Sequence, residues 1–188
     1  MSPSHLILGG ARSGKSRFAL GLPSPGARVA IIVTAEARDA DMARRIARHR
    51  ADRPPHWLTV EESYELVTAL DRLAGQAFDA ILVDCITLWV SNRLLRGDAD
   101  AVILDEGERL AKLIERQRPG VAIVSNEVGQ GVHPETAAGL RFRDLLGLVN
   151  QRVAAACDQV TLMIAGLPLT VKSPPSPPPP HELTPQAP

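Results

Sequence analysis

Gly9-Gly10-Ala11-Arg12-Ser13-Gly14-Lys15-Ser16 reads G-x-x-x-x-G-K-S immediately after the apolar run Leu6-Ile7-Leu8, and no other stretch narrows the fold as much. Glycines at these positions let the backbone turn tightly out of a strand and aim successive N–H groups at one point, a cradle for nucleotide phosphates. A helix starting near Gly14 and running through Arg17-Phe18-Ala19-Leu20 adds the positive end of its dipole. The pattern therefore predicts a phosphate-binding P-loop, with Gly9, Gly10, Ala11, Arg12, Ser13, Gly14, Lys15 and Ser16 around the nucleotide. Lys15 is expected to reach the β- and γ-phosphates, and the Ser16 hydroxyl to ligate Mg2+. A surface turn that merely contains Gly-Lys-Ser would lack the strand before it and the helix after it.

Apolar runs and amphipathic segments alternate through the rest of the chain. Arg28 to Thr34, Ala80 to Val83, Val121 to Val124 and Val160 to Ile164 read as strands, the interior ones apolar on both faces. Shorter strands are expected at Trp57 to Val60 and Leu169 to Lys172. Helices are expected at Asp39 to Arg50, Glu62 to Leu73 (with Leu66, Leu70 and Leu73 on one face), Thr87 to Leu95, Ala101 to Arg116 and Glu135 to Cys157. This alternation predicts a P-loop NTPase-like α/β fold with a mainly parallel sheet covered by helices on both faces, RecA-like in class.

The 188 residues fit one domain, read as 1–172. Ser173 to Pro188 hold eight of the chain's 16 prolines and are read as a disordered tail that joins no helix or interior strand; an SH3-type ligand is the other reading of such a segment. The formal net charge is zero and aromatic residues make up 3%, which argues against a basic groove or base-stacking platforms, so nucleic acid is not an expected partner. Cys85 and Cys157 lack metal-like spacing and sit in apolar segments, as reduced buried thiols would. No apolar run approaches the roughly 20 residues of a membrane span, and no signal peptide is expected before Leu6, because the P-loop begins almost at once. A cytoplasmic protein is expected.

In open α/β sheets ligands lie at the carboxyl ends of the strands, so the polar residues just after each apolar run are the candidates. Asp84 ends its run where P-loop proteins place the carboxylate that holds Mg2+; a helix N-cap is the simpler alternative. Thr34-Ala35-Glu36 and Ser125-Asn126-Glu127 end two other runs, where turn and capping chemistry would also suit them. Gly129 to Pro134 is too glycine-rich for a helix and reads as a loop at the same edge. His49 lies seven residues beyond Met42 and three beyond Ile46, among Arg44, Arg45, Arg48 and Arg50. Those guanidiniums attract phosphate and disfavour a further positive charge on the ring, and a neutral imidazole beside a nucleotide is a competent nucleophile toward phosphorus. A structural helix histidine is the plainer reading. Asp39, Asp41 and Asp52 interleave with the arginines and dilute any purely electrostatic role for this helix.

Three segments, Gly9 to Ser16, Arg45 to Trp57 and Val83-Asp84-Cys85-Ile86-Thr87-Leu88-Trp89, resemble the bifunctional adenosylcobinamide kinase and adenosylcobinamide-phosphate guanylyltransferase family of cobalamin biosynthesis. Ser125 to Pro134, Val149-Asn150-Gln151-Arg152 and Ala165-Gly166-Leu167-Pro168-Leu169 extend the resemblance to roughly Leu6 to Lys172. It implies two reactions. ATP or GTP phosphorylates the aminopropanol hydroxyl of adenosylcobinamide; GTP then donates GMP to that phosphate through a guanylyl-histidine, giving adenosylcobinamide-GDP and pyrophosphate. The family commonly has His-His where this chain has Arg48-His49, so the resemblance assigns the nucleophile to His49. It also implies nucleotide contacts by Thr34, Ala35, Glu36, Arg50, Ala51, Asp52, Arg53, Glu61 and Asp84, with Asp84 standing where some members carry glutamate. A homotrimer is implied as well. A single-function P-loop kinase and a nucleotide-dependent nucleic-acid ATPase are the alternatives.

Overall fold

Strands form where β-branched and other apolar residues run together, and the interior ones alternate their side chains between two buried layers. The computed structural model describes residues 3–116 and 120–173; most of the expected proline-rich tail lies outside the described residues. The elements are β1 (His5–Gly9), α1 (Lys15–Leu20), β2 (Val29–Val33), α2 (Ala40–Ala51), β3 (Leu58–Glu61), α3 (Leu66–Ala74), β4 (Ala80–Asp84), α4 (Ile86–Arg96), α5 (Asp100–Arg116), β5 (Gly120–Val124), α6 (Ala137–Ala156), β6 (Gln159–Ile164) and β7 (Leu167–Lys172). They build one seven-stranded sheet in the order β3-β2-β4-β5-β1-β6-β7. Its pairings are parallel up to β6, and β7 returns antiparallel on β6 through a turn at Ala165 and Gly166.

Leu6, Ala30, Ile32, Ile81, Val83, Val121 and Ile123 point into the layer covered by α3, α4, α5 and α6. Their neighbours Ile7, Val29, Ile31, Leu82, Ala122 and Val124 point the other way, toward α1. The alternation expected from the sequence is therefore the alternation of two cores. Trp89, wholly buried, anchors α4 in the thicker layer, and its indole Nε1 donates to Tyr64 O at 2.7 Å.

Three expected boundaries shift by two residues or more. The helix expected from Glu62 begins at Leu66, because Glu62 Oε1 accepts from the backbone N–H groups of Tyr64 (3.0 Å) and Glu65 (2.9 Å), closing a turn before the helix. The helix expected from Glu135 begins at Ala137, with Thr136 as N-cap accepting from Gly139 N. The last strand starts at Leu167, two residues earlier than expected, as the tight turn allows.

Candidate active site

The P-loop leaves β1 at Gly9 (φ 152°) and enters α1 through Gly14 (φ 95°), both in conformations that a side chain disfavours. A Cβ on Gly9 would also sit 2.6 Å from Met163 O and 2.6 Å from Ser13 Oγ, so the loop needs glycine there for space as well. Ser13 O accepts from Gly166 N at 3.0 Å, which buttresses the loop on the β6–β7 turn. Lys15 is 8% exposed and its Nζ donates to Gly10 O at 2.6 Å, holding the ammonium over the loop. Burial pulls its pKa below the ordinary lysine value, and the charge of Asp84 works against that while Arg45 adds to it. Lys15, Asp84 and Arg45 thus share one electrostatic neighbourhood. Ser16 follows on α1, half-buried, whereas Gly10, Ala11 and Arg12 are exposed at the loop's rim.

Next to this loop, a cavity of about 320 Å³ opens between α2 and the ends of β2, β3 and β4. Asp39 caps α2, its carboxylate accepting from Met42 N at 2.7 Å, and Met42, Ile46 and His49 form the helix's inward stripe. His49 Nδ1 lies 3.6 Å from Asp84 Oδ2. Two residues that sequence reasoning placed on different elements therefore face each other. Arg50 Nη1 stands 3.9 Å from Glu61 Oε1, and Ala35, Glu36 and Arg53 complete the predicted lining. Burial lowers the pKa of Arg53, opposed by the charge of Asp84. Glu36 is held below the usual carboxylate range, chiefly by a hydrogen bond with Tyr64 and then by Arg38, whose guanidinium is 2.7 Å away.

Three of the contacts predicted outside the P-loop lie off this cavity, and the P-loop residues do not line it either. Thr34 is fully buried beneath the site: its hydroxyl donates to Cys85 O (2.7 Å) and accepts from Cys85 N (3.0 Å), while Asn92 Nδ2 donates to Thr34 O at 2.7 Å. Thr34 thereby fixes the Asp84–Cys85 peptide, which is cis. Ala51 and Asp52 are exposed at the carboxyl end of α2. Arg45 and Leu88 line the cavity and were not singled out for it; the four-residue spacing of Arg45 from His49 is the signal that places both on one helix face. Cys85 is buried, which pushes its thiol up to about 11, and Cys157 is buried likewise, its thiol pushed up to about 12.

A larger cavity, of about 580 Å³, opens at the opposite edge of the sheet, among Pro3, His5, Leu22, Asp79 and Gln159. It lies at the amino ends of the strands, away from the P-loop. Volume is outweighed there by position, since parallel α/β sheets bind ligands at the carboxyl ends.

Oxygen and nitrogen donors at the smaller cavity suit a nucleoside triphosphate: cations for phosphates, and Met42, Ile46 and Leu88 for the flat face of a base. A P-loop at the carboxyl edge of a mainly parallel sheet defines a nucleotide-binding P-loop NTPase of the RecA-like class. An ATPase from the type III secretion system of pathogenic bacteria shares that fold, with a TM-score of 0.56 at 13% identity, over 89% of this chain and 56% of the other. The chain belongs to the cobinamide kinase / cobinamide phosphate guanyltransferase family, whose model matches residues 5–171. It is 47% identical to the bifunctional adenosylcobalamin biosynthesis protein CobP of Pseudomonas aeruginosa, over 90% of this chain and 98% of that protein. To the bifunctional adenosylcobalamin biosynthesis protein CobU of Salmonella typhimurium it is 41% identical, over 89% of this chain and 98% of that protein. The resemblance read from the motifs is thus carried by nearly the whole described chain. Among the described residues, no helix is long and apolar enough to cross a membrane.

Proposed function

We propose that this one site performs both reactions of the family: phosphoryl transfer from ATP or GTP to the aminopropanol hydroxyl of adenosylcobinamide, then transfer of GMP from GTP to the resulting phosphate. The observation that carries the reading is His49 facing Asp84 in a cavity whose Asp84 and Arg45 act electrostatically on Lys15 of the P-loop. In the first reaction Lys15 and the loop N–H groups bind the β- and γ-phosphates and neutralise charge as the γ-phosphoryl moves to the alcohol. Mg2+ would be held by the Ser16 hydroxyl and the Asp84 carboxylate. Two oxygen donors suffice for an ion that takes most of its ligands from phosphate and water, and when bound it would neutralise phosphate charge.

In the second reaction the Asp84 carboxylate, 3.6 Å from His49 Nδ1, electrostatically favours the tautomer with its proton on that nitrogen, which leaves the lone pair on Nε2. Nε2 attacks the α-phosphorus of GTP, the P–N bond forms and pyrophosphate leaves with the electron pair. An oxygen of adenosylcobinamide phosphate then attacks the same phosphorus, and the P–N bond breaks to return His49. The covalent stage splits one hard displacement into two and keeps the guanylyl group activated between them. The α- and γ-phosphorus atoms of one nucleotide are several ångströms apart, and α2, which buries no residue, is the element suited to move His49 between steps. Ala35, Glu36, Arg50, Arg53 and Glu61 contact the nucleotide from the cavity wall, and Thr34 supports them from below; Ala51 and Asp52 join only if α2 closes over the ligand.

The protein works as a homo-oligomer, a trimer in this proposal. Support comes from an exposed apolar stripe along the sheet edge, where Ile164, Leu167, Leu169 and Val171 stand 55%, 72%, 54% and 62% exposed. Incubation with α-labelled GTP tests the central claim. An acid-labile, alkali-stable label is expected on the wild type and none on His49→Ala; a His49→Ala protein that labels as strongly as wild type would overturn the nucleophile.

A further inference from the structure

The kinase half of the reaction must take a proton from an alcohol, and none of the residues placed so far is assigned to that step. Five carboxylates line the carboxyl edge of the sheet, and four are already engaged. Glu36 pairs with Arg38 at 2.7 Å, Glu61 with Arg50 at 3.9 Å, and Asp84 faces His49 at 3.6 Å. Glu62 closes the turn before α3. The fifth is Glu127, which makes no ion pair among the described residues. Its Oε1 accepts from Gly129 N at 2.7 Å, and its other carboxylate oxygen has no hydrogen-bond donor among the described residues.

The backbone that carries Glu127 is pinned on three sides. Glu127 N donates to Gly9 O, at the root of the P-loop, at 3.1 Å. Asn126 N donates to Thr87 Oγ1 at 2.7 Å, and Asn126 O accepts from Asn150 Nδ2 at 3.0 Å. Beneath them Ser125 is wholly buried and donates to Asn150 Oδ1 at 2.7 Å. A turn or cap alone requires none of this bracing, whereas a group that must meet a reacting atom does. Position agrees. β5 lies between β4, which ends at Asp84, and β1, which opens the P-loop, so Glu127 stands on the α6 flank of the nucleotide site and His49 on the α2 flank.

We propose that Glu127 is the general base of phosphoryl transfer, taking the proton of the substrate alcohol while the alcohol oxygen bonds to the γ-phosphorus. The bond from that phosphorus to the β–γ bridging oxygen breaks, the nucleoside diphosphate leaves with the electron pair, and the proton remains on Glu127 until it passes to solvent. The assignment rests on the two-reaction reading. It separates the acceptors: the alcohol approaches from the β5–α6 loop, and the α-phosphorus is left to His49 on the opposite flank.

The test measures both reactions on the same full-length variants. Glu127→Gln is expected to lower kcat for phosphorylation of adenosylcobinamide by about 10²-fold or more, with the nucleotide KM and the labelling of His49 by α-labelled GTP unchanged. Gly129→Ala, whose Cβ would meet Glu127 Oε1 at 2.9 Å, is expected to lower the same kcat by a smaller factor by displacing the carboxylate. A Glu127→Gln enzyme with wild-type kcat overturns the base and leaves the two-reaction reading standing. So does one that loses labelling in the same proportion as phosphorylation, since that is loss of structure. A wild type that phosphorylates no corrinoid alcohol overturns both.

Discussion

The two helices that serve the nucleotide site are built in opposite ways. α1 is six residues long, yet it buries Lys15 and Ala19 and begins in a loop tied to the β6–β7 turn. α2 is twelve residues long and buries none. In the proposed reactions one holds phosphates at a fixed place, and the other carries the proposed nucleophile, His49, on a half-buried stripe. A site that must address two phosphorus atoms of one nucleotide needs one part that stays and one that moves, and local stability is divided accordingly.

The largest expected effect is on the fixed side. Lys15→Met is expected to cut phosphoryl transfer by about 10²- to 10³-fold and yet to raise Tm, because the folded protein bears the cost of a buried ammonium. The folded pKa lies below the unfolded one, so that cost is complete below the folded pKa and disappears as pH rises through it toward the ordinary value of about 10.4. The Tm gain should shrink over the same range; a variant less stable than wild type at pH 7 would break the comparison. Gly9→Ala comes next, with an expected loss of about 3 kcal/mol in denaturant unfolding from its clash with Met163 O. Ile46→Ala on α2 is expected to cost only about 1 kcal/mol, against about 2–5 kcal/mol for Leu70→Ala in the core. Amide exchange sharpens the contrast: α2 should exchange through openings well below the global unfolding free energy, and protection equal to that of β1 would show that α2 is not the loose element.

Much of this was legible in the sequence because local chemistry decides it. The P-loop, the two-faced strands and the Met42-Ile46-His49 stripe follow from spacing alone. What was not legible depends on distant partners. The start of α3 is delayed where Glu62 closes a turn, and α4 takes up the exposed carbonyls there, Tyr64 O through Trp89 and Ser63 O through Asn92 Nδ2 at 3.3 Å. Thr34 reads as a strand-end polar residue, and only the fold shows its hydroxyl turned inward onto Cys85. The meeting of His49 with Asp84 spans two βα units and has no local signature. Glu127 looked like turn chemistry, and one of its oxygens does serve a turn; its bond to Gly9 required strand order to see.

The buttress under the P-loop also sets a schedule. Gly9 to Ser16 precede β2 to β7 in chain order, but their strand lies between β5 and β6, and Ser13 is tied to Gly166. Ser4 is likewise tied to Asp158, 154 positions later. Such long-range closure slows folding. A ribosome must therefore translate almost the whole described chain before the nucleotide loop has its neighbours, so nascent chains stopped before the β6–β7 turn should not retain GTP.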